Sequence, residues 1–452
     1  MKCKIQFIPI SHKYLFSFTF FLMFCLARSF SLAQHWVNPN YECHHLDLRD
    51  LGYPDVNMIP PNCSAITSLI TASSGKIYGA TSGDVSYLFV YDPTINKVRH
   101  LGRLAGHQGV FHSLVMDSDE YLYIGTGKNV LEQVEISRET EPGHYAISNS
   151  LWNDVKKPYA GYKGGHLLRY DPKKSDNEVY LPDWNCPVED LGVPVAGDGI
   201  YALTIDSDRN VIYGVTYPNG HLFKYEILNK KFHDLGETNK EIVFHGPERD
   251  WRTLPRALVC DDSGRVFSSG SGGFLMYYQA GDESLTLTDI QIPGEYYPVQ
   301  AYSGYPTVEY FAKDPNGMIY GASCDGFLFC FDPYNIKLTN LGKPRLTRRI
   351  RALTVGIDEK VYIIAGDRIE PCRLFSYDPQ HGGFSDLGVI AVDRSPYYSW
   401  RADQFDCMTT GLDGTIYIGE SDRRAHLFLF LPIGASVFEQ DYLRKNIGRY
   451  KK

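Results

Sequence analysis

The chain has 452 residues, 43% of them hydrophobic and 22% charged, with a formal net charge of −8. That apolar content excludes a disordered chain and suffices for one large domain or two ordinary ones. The acidic balance argues against nucleic acid as a partner, so a polyanionic ligand must meet a basic patch local to its site.

Residues 1–33 read as a secretory signal peptide. Lys2, Lys4 and Lys13 form a basic start, residues 15–27 are largely apolar, and Ser31-Leu32-Ala33 supplies small residues before a cut. The apolar run is short for a bilayer span, and Phe24 before Cys25 is too bulky for a lipoprotein cleavage site. The expected product is a secreted protein, extracellular or periplasmic, with no membrane attachment after cleavage. Cleavage removes Lys2, Lys4, Lys13 and Arg28 and no acidic residue, leaving 41 basic against 53 acidic residues. Of the 10 cysteines, Cys3 and Cys25 fall in this segment; Cys43, Cys63, Cys186, Cys260, Cys324, Cys330, Cys372 and Cys407 remain, none as a CxxC pair. Buried thiols or one or two bridges are expected, with a Cys/His zinc site as the sharper reading.

From residue 66 onward one unit recurs: an apolar strand, an Asp/Gly/Asn turn, and a second apolar strand ending in an aromatic residue. The copies are 66–78, 110–123, 200–213, 255–267, 308–320, 350–362 and 405–417. A third strand follows each and ends in an aromatic, often before Asp-Pro, as in Tyr91-Asp92-Pro93, Tyr170-Asp171-Pro172, Phe331-Asp332-Pro333 and Tyr377-Asp378-Pro379. Asp-Pro opens a turn because proline fixes φ and cannot extend a ladder. A fourth strand closes on Leu-Gly at 101–102, 191–192, 235–236, 341–342 and 387–388, with Asp289-Ile290 in that place in the fourth repeat. Four antiparallel strands repeated seven times predict an all-β fold, a seven-bladed β-propeller. The seventh repeat has only three strands, and the segment LDLRDLG at 46–52 supplies the missing one. The ring is therefore expected to close by an N-terminal strand completing the last blade. The propeller spans 34–435, and 436–452 is a basic, solvated C-terminal tail.

The long insertions, 128–165, 237–254, 291–307 and 390–404, all fall on one face of such a propeller. They carry Trp251, Arg252, Trp400 and other aromatics, which suit stacking on sugar rings and pairing with acidic groups. Aligning the units on their turns places Thr67, His112, Tyr201, Arg256, Glu309, Arg351 and Asp406 around the channel mouth. The bland reading is a polar channel in which Arg351 pairs with Glu309 or Asp406. The functional reading groups His112, Tyr201 and Arg256, joined by His166, which opens the third strand of the same blade as His112. Tyr217, Arg252, Trp251, Arg351 and Trp400 are then candidate substrate contacts, although Tyr217-Pro218 equally suits a turn. These residue types fit β-elimination of an acidic polysaccharide. Arginine neutralises the uronic carboxylate, and His112 and Tyr201 serve as base and acid in unresolved order, with His166 orienting or sharing the proton transfer.

The stretches HSLVMDSDEYLYIGTG, GGHLLRYDP, YALTIDSDRNVIYGVTYP and RALVCDD give the chain a resemblance to the secreted seven-bladed propeller lyases of ulvan, a sulfated, uronate-containing algal polysaccharide. The resemblance implies cleavage to 4,5-unsaturated uronate ends, with His112 and His166 matching the family's histidines and Tyr201 its tyrosine. The family's arginine corresponds to Tyr217 here, so Arg256 from the next blade would have to replace it. No cofactor is implied for the chemistry; a structural metal is compatible with the family, and His245 and Cys260 are the nearest candidate ligands. The expected partner is an acidic polysaccharide met by a monomer. The competing readings are a propeller that only binds glycans or proteins, and a hydrolase using Glu309 and Asp406, which lie two blades apart.

Overall fold

Strands form where apolar residues run between turns that carry Asp and Gly. The computed structural model describes residues 48–50, 63–128, 161–175, 184–238, 254–294, 305–346, 349–366, 372–394, 398–421 and 425–432. Among these residues lie seven four-stranded antiparallel sheets, six of them in simple chain order. Blade 1 runs from Cys63–Thr71 to Lys97–Leu104. Blade 2 comprises Leu114–Met116, Leu122–Gly125, Leu167–Tyr170 and Val188–Gly192. Blades 3 to 6 begin with Gly199–Asp206, Val259–Cys260, Val308–Lys313 and Ile350–Val355. Blade 7 has Phe405–Thr410, Ile416–Glu420 and Leu427–Phe430, and its fourth strand is Leu48–Asp50, paired antiparallel with Leu48 opposite Phe430 and Asp50 opposite Phe428. The expected seven-bladed propeller and its closing strand are thus both present.

The insertion at 390–404 is not irregular, as the sequence suggests. It contains a β-hairpin, Ala391–Arg394 with Tyr398–Arg401. The segments 1–33 and 436–452 lie outside the described residues, as do most of the other three insertions.

The recurrent Asp residues are turn and bulge devices. Asp92, Asp171, Asp332 and Asp378 each accept the backbone N–H two residues on, which is the Asx turn that Asp offers in place of a ladder bond. In the outer strand, Asp190, Asp234 and Asp386 accept the N–H of Gly192, Gly236 and Gly388. At each of these sites the pairing slips, so that Leu168, Phe223 and Phe375 face the Asp while the preceding Leu faces the Gly. These glycines have φ of 110°, 96° and 114°, a bulge geometry that glycine adopts without strain. In blade 4 the hydroxyl of Thr288 accepts the N–H of Ile290 instead, which is why Asp-Leu-Gly is dispensable there.

The core is divided among the junctions between blades. Each of the seven buried clusters joins residues of two neighbouring blades. The aromatic expected to end each second strand stands instead near its start, and it meets the aromatic near the end of a neighbouring blade's third strand, as Tyr78 with Tyr170, Tyr213 with Tyr278, Phe267 with Phe331 and Tyr417 with Tyr91. Within a blade, Phe89, Phe223 and Phe329 press over Gly79, Gly214 and Gly321, where an added Cβ would come within 2.2, 2.4 and 2.1 Å of the ring. Cys186, Cys260, Cys324, Cys330 and Cys407 are thiols and not bridges. Burial raises the pKa of each, so they are inert packing groups. Among the described residues no helix is long and apolar enough to cross a membrane.

His100, at the bulge position of blade 1, packs on Tyr87 at 5.2 Å, and burial lowers its pKa to about 4. The unfolded chain takes up this proton near pH 6.5 and the folded chain only near 4, so stability is retained above 6.5 and lost as pH falls through that window. His100→Phe is expected to gain on the wild type in urea midpoint between pH 7.5 and 4.5. An equal gap at both pH values would refute the assignment.

Candidate functional site

The residues that open the innermost strands meet around the axis. His112 reaches across the channel: its Nε2 lies 3.0 Å from the carbonyl of Asp406 in blade 7, and its Nδ1 lies 3.4 Å from the carbonyl of Arg256 in blade 4. Its ring meets Tyr201 at 5.5 Å and Tyr310 at 4.8 Å, edge-on. Burial foremost holds its pKa below the ordinary value, against the pull of Asp406 and Glu309. With a carbonyl at each nitrogen, the ring has no nitrogen left to take a proton from a substrate.

Arg256 is buried, and its Nη1 donates to both carboxylate oxygens of Glu309 at 2.9 and 3.0 Å. Arg349 donates to the same carboxylate at 2.8 Å, and Arg351 donates to Asp406 at 3.3 Å. Arg256 therefore does not present an uncommitted charge to a uronate, which corrects its expected part as neutraliser. The pairing of Arg351 with Asp406 is the structural alternative that the sequence allowed. Glu309 and Asp406 are both committed to arginines, which leaves a hydrolytic carboxylate pair without support. Tyr201 is buried against Phe111, its ring stacked at 5.0 Å, and Tyr217 is buried in the same cluster between blades 3 and 4.

His166 belongs to a different group. It lines a hollow of about 340 Å³ at the insertion-bearing face of blade 2, together with Gly106, His107, Lys128, Gly161, Tyr162, Lys163 and Gly164. His166 and His107 face each other at 5.2 Å between ring centroids. The expected partnership of His166 with His112 is thus replaced by one with His107, which sequence reasoning missed. The only local signal was the Gly-His-Gln-Gly stretch at 106–109, which reads as an ordinary loop.

The local chain explains the placement. At Gly165 a Cβ would come within 1.8 Å of the Thr126 carbonyl, and at Gly164, with φ of 125°, within 2.4 Å of Val193. Only the Gly164-Gly165 pair lets the strand entry press this close. Gly165 N–H donates to the Asp198 carbonyl at 2.7 Å, and His166 N–H to Thr126 Oγ1 at 2.9 Å. Nδ1 of His166 lies 2.9 Å from both oxygens of Asp190. Nε2 has no partner among the described residues, and the side chain is 32% exposed. Burial pushes the Asp190 carboxyl up, but hydrogen bonds from His166 and Gly192 and the nearby imidazoles outweigh it, and its pKa is lowered.

Lys128 Nζ lies 5.1 Å over the Tyr162 ring, a cation–π contact. Lys163 has no carboxylate partner among the described residues. Burial pushes Tyr162 up to about 12, so its phenol is neutral at physiological pH.

Trp251 and Arg252 lie outside the described residues, and Trp400 belongs to the strand Tyr398–Arg401 with its side chain outside them. No group of three or more His, Cys, Asp or Glu among the described residues is placed to hold a metal ion. Cys260 donates to the Asp261 carbonyl, and burial pushes its thiol up to about 12. His245 lies outside the described residues.

No family model and no curated protein matches the chain. Among solved structures, a streptogramin B lyase superposes with a TM-score of 0.54 at 10% identity, over 84% of this chain and 97% of that one. The virginiamycin B lyase of Staphylococcus aureus gives 0.53 at 9% identity, over 85% and 99%. The extracellular domain of a hybrid two-component system of B. thetaiotaomicron gives 0.51 at 13% identity, over 82% of this chain and 39% of that one. These likenesses show the fold. They support the propeller within the ulvan-lyase resemblance, and no family model adds the substrate.

If the channel is a structural ion network, Glu309→Gln should be destabilising, because it leaves the guanidinium groups of the buried Arg256 and the half-buried Arg349 without their carboxylate. The expected loss, set by the buried Arg256 and less by the half-buried Arg349, is about 3 kcal/mol, read from the urea midpoint. A midpoint within error of the wild type would show that the network holds nothing together.

Proposed function

We propose that the chain is a secreted lyase that cleaves a uronate-containing, ulvan-like polysaccharide by β-elimination, with its site in the blade 2 hollow instead of the channel mouth. One observation carries this reading. A chain with a net charge of −8 gathers Lys128, Lys163, His107 and His166 around one hollow, with no carboxylate among the lining residues described. That is the local basic patch an acidic polymer requires of an acidic protein. Two propellers that share the fold are named as lyases, so lyase chemistry is compatible with this scaffold.

In this scheme Lys128 and Lys163 take the part first given to Arg256. They neutralise the uronic carboxylate and stabilise the enolate-like intermediate as the neighbouring proton leaves. His166, with Nδ1 held by Asp190, offers Nε2 for proton transfer. The ring of Tyr162 forms a wall against which a sugar can stack. The scheme needs no cofactor and only one copy of the chain, and the basic, apolar start of the sequence supports delivery outside the cell.

A binding module is the second reading, and one observation favours it. The His166–Asp190 pair recurs as His221–Asp234 and Arg373–Asp386 in blades 3 and 6, so the pair alone is blade architecture. Among the described residues, only blade 2 adds the second histidine and the lysines to such a hollow.

Ulvan, pectate, alginate and chondroitin sulfate, each incubated with the secreted protein, separate the two. The expected result is the absorbance of a 4,5-unsaturated uronate with one of them. His166→Ala should lower kcat by about 100-fold or more, and Lys163→Ala should chiefly raise KM. No chromophore on any of the four, with binding retained in calorimetry, would leave the binding module standing and the lyase not.

A further inference from the structure

Thr126 is fully buried beside the blade 2 hollow. Three polar groups meet its single hydroxyl. The His166 N–H donates to Oγ1 at 2.9 Å, the His166 carbonyl lies 3.0 Å away, and Nδ1 of His107 lies at 2.9 Å. A hydroxyl has one proton and two lone pairs. The carbonyl can only accept; it takes the Thr126 N–H at 3.1 Å and, with Oγ1 at 3.0 Å, the hydroxyl proton as a second donor. The His166 N–H occupies one lone pair, and the other remains for His107, whose Nδ1 must then bear hydrogen. The opposite tautomer would spend the hydroxyl proton on Nδ1 and set Oγ1 against the carbonyl oxygen, lone pair to lone pair.

We propose that Thr126 is a positioning residue that holds His107 as its Nδ1–H tautomer, and that the bare Nε2 of His107 is the base of the elimination, with His166 as the acid. The base and acid roles rest on the lyase reading of the hollow; the tautomer rests on the hydrogen bonds alone.

Both imidazoles are anchored through Nδ1, one on a neutral hydroxyl and one on a carboxylate. That difference in support distinguishes the two. Asp190 sets a carboxylate against Nδ1 of His166, whereas Thr126 gives His107 no negative charge. Burial first, then repulsion from His166, lowers the pKa of His107 to about 4, against a weaker opposing pull from Asp190. Lys128 and Lys163 line the same hollow. Two groups of one type with environments that drive them apart constitute an acid and a base.

The step balances with these two groups. Nε2 of His107 takes the proton from the carbon beside the carboxylate, and the released electron pair forms the ring double bond. The bond to the leaving oxygen breaks, and that oxygen takes the proton from Nε2 of His166. His107 then returns a proton to His166 through solvent, with no oxidant, reductant or co-reactant consumed.

Ring nitrogen–proton NMR of the full chain, with His107 assigned by its loss in His107→Gln, tests the tautomer without any substrate. The wild type and Thr126→Ser should both show Nδ1–H at His107, and Thr126→Val should lose that preference. An Nε2–H tautomer in the wild type overturns the positioning role even if Thr126→Val fails to fold, as does an unchanged spectrum in a folded Thr126→Val.

On a substrate that is cleaved, His107→Gln should lower kcat by about 100-fold or more with KM little changed. Wild-type kcat in that variant overturns the base assignment. Silence of the wild type on every polyuronate overturns it too, together with the lyase reading, while the NMR result still decides the role of Thr126.

Discussion

The constraint on which the architecture depends is closure of the ring. The buried apolar faces of each blade pack against its two neighbours, and the apolar core is divided among seven junctions. No central core can compensate for a missing junction. The three residues Leu48–Asp50 therefore matter out of proportion to their number, because they cover the strand Leu427–Phe430 and leave blade 7 without a bare edge. With apolar burial concentrated at the junctions, the first strands are left facing a narrow axis that hydrophobic side chains do not fill. Arg256, Glu309, Arg349, Arg351, Asp406 and His112 occupy it, and their mutual ion pairs and hydrogen bonds satisfy most of what burial would otherwise make costly.

The acidic character of the chain has a comparable structural origin. Much of it is the repeat itself, since a turn Asp in strand pairs, an Asp before Pro and an Asp in the outer-strand bulge recur around the ring. Those carboxylates accept backbone N–H groups, as Asp117 does from Tyr121, Asp314 from Met318 and Asp386 from Gly388. They punctuate strands and do not face a ligand. A negative net charge is thus compatible with a locally basic hollow, because the negative charges are fixed where turns and bulges need them.

The fold was legible because its signals are periodic and local. The aromatic near the start of each second strand, the Asp-Pro turn and the Leu-Gly bulge each follow from backbone geometry, and each repeats often enough to be read without tertiary knowledge. The first-strand ring was legible as a location, and His112, Tyr201, Arg256 and Arg351 do gather about the axis. Their commitments were not legible, because the contact of His112 with the carbonyls of Asp406 and Arg256 spans blades far apart in sequence. The partnership of His107 with His166 was hidden for another reason. It joins the loop entering blade 2 to the third-strand opening of the same blade across the long insertion, so no fixed spacing announces it. The pairing of His166 with Asp190, by contrast, follows from the bulge register that also sets His221 against Asp234.

These two sets of residues differ in a way that separates support from chemistry. At the axis every described charge faces an opposite charge, and the imidazole of His112 meets a carbonyl at each nitrogen, so a substrate entering there would have to break what holds the blades. In the blade 2 hollow the scaffold holds each histidine by one nitrogen only, and Lys163 faces no carboxylate among the described residues. Reactive groups need orientation on one side and freedom on the other. The Gly164-Gly165 entry supplies the orientation by pressing His166 onto Thr126 and Asp190. The freedom comes from the side chains, because the bonds from this rim to the neighbouring blades, Ile200 N–H to the Thr126 carbonyl and Ser86 N–H to the His107 carbonyl, engage backbone and leave each imidazole one open nitrogen. A propeller can change such a rim without disturbing its ring, which is the physical reason an off-axis hollow is a better place for chemistry than the axis in this chain.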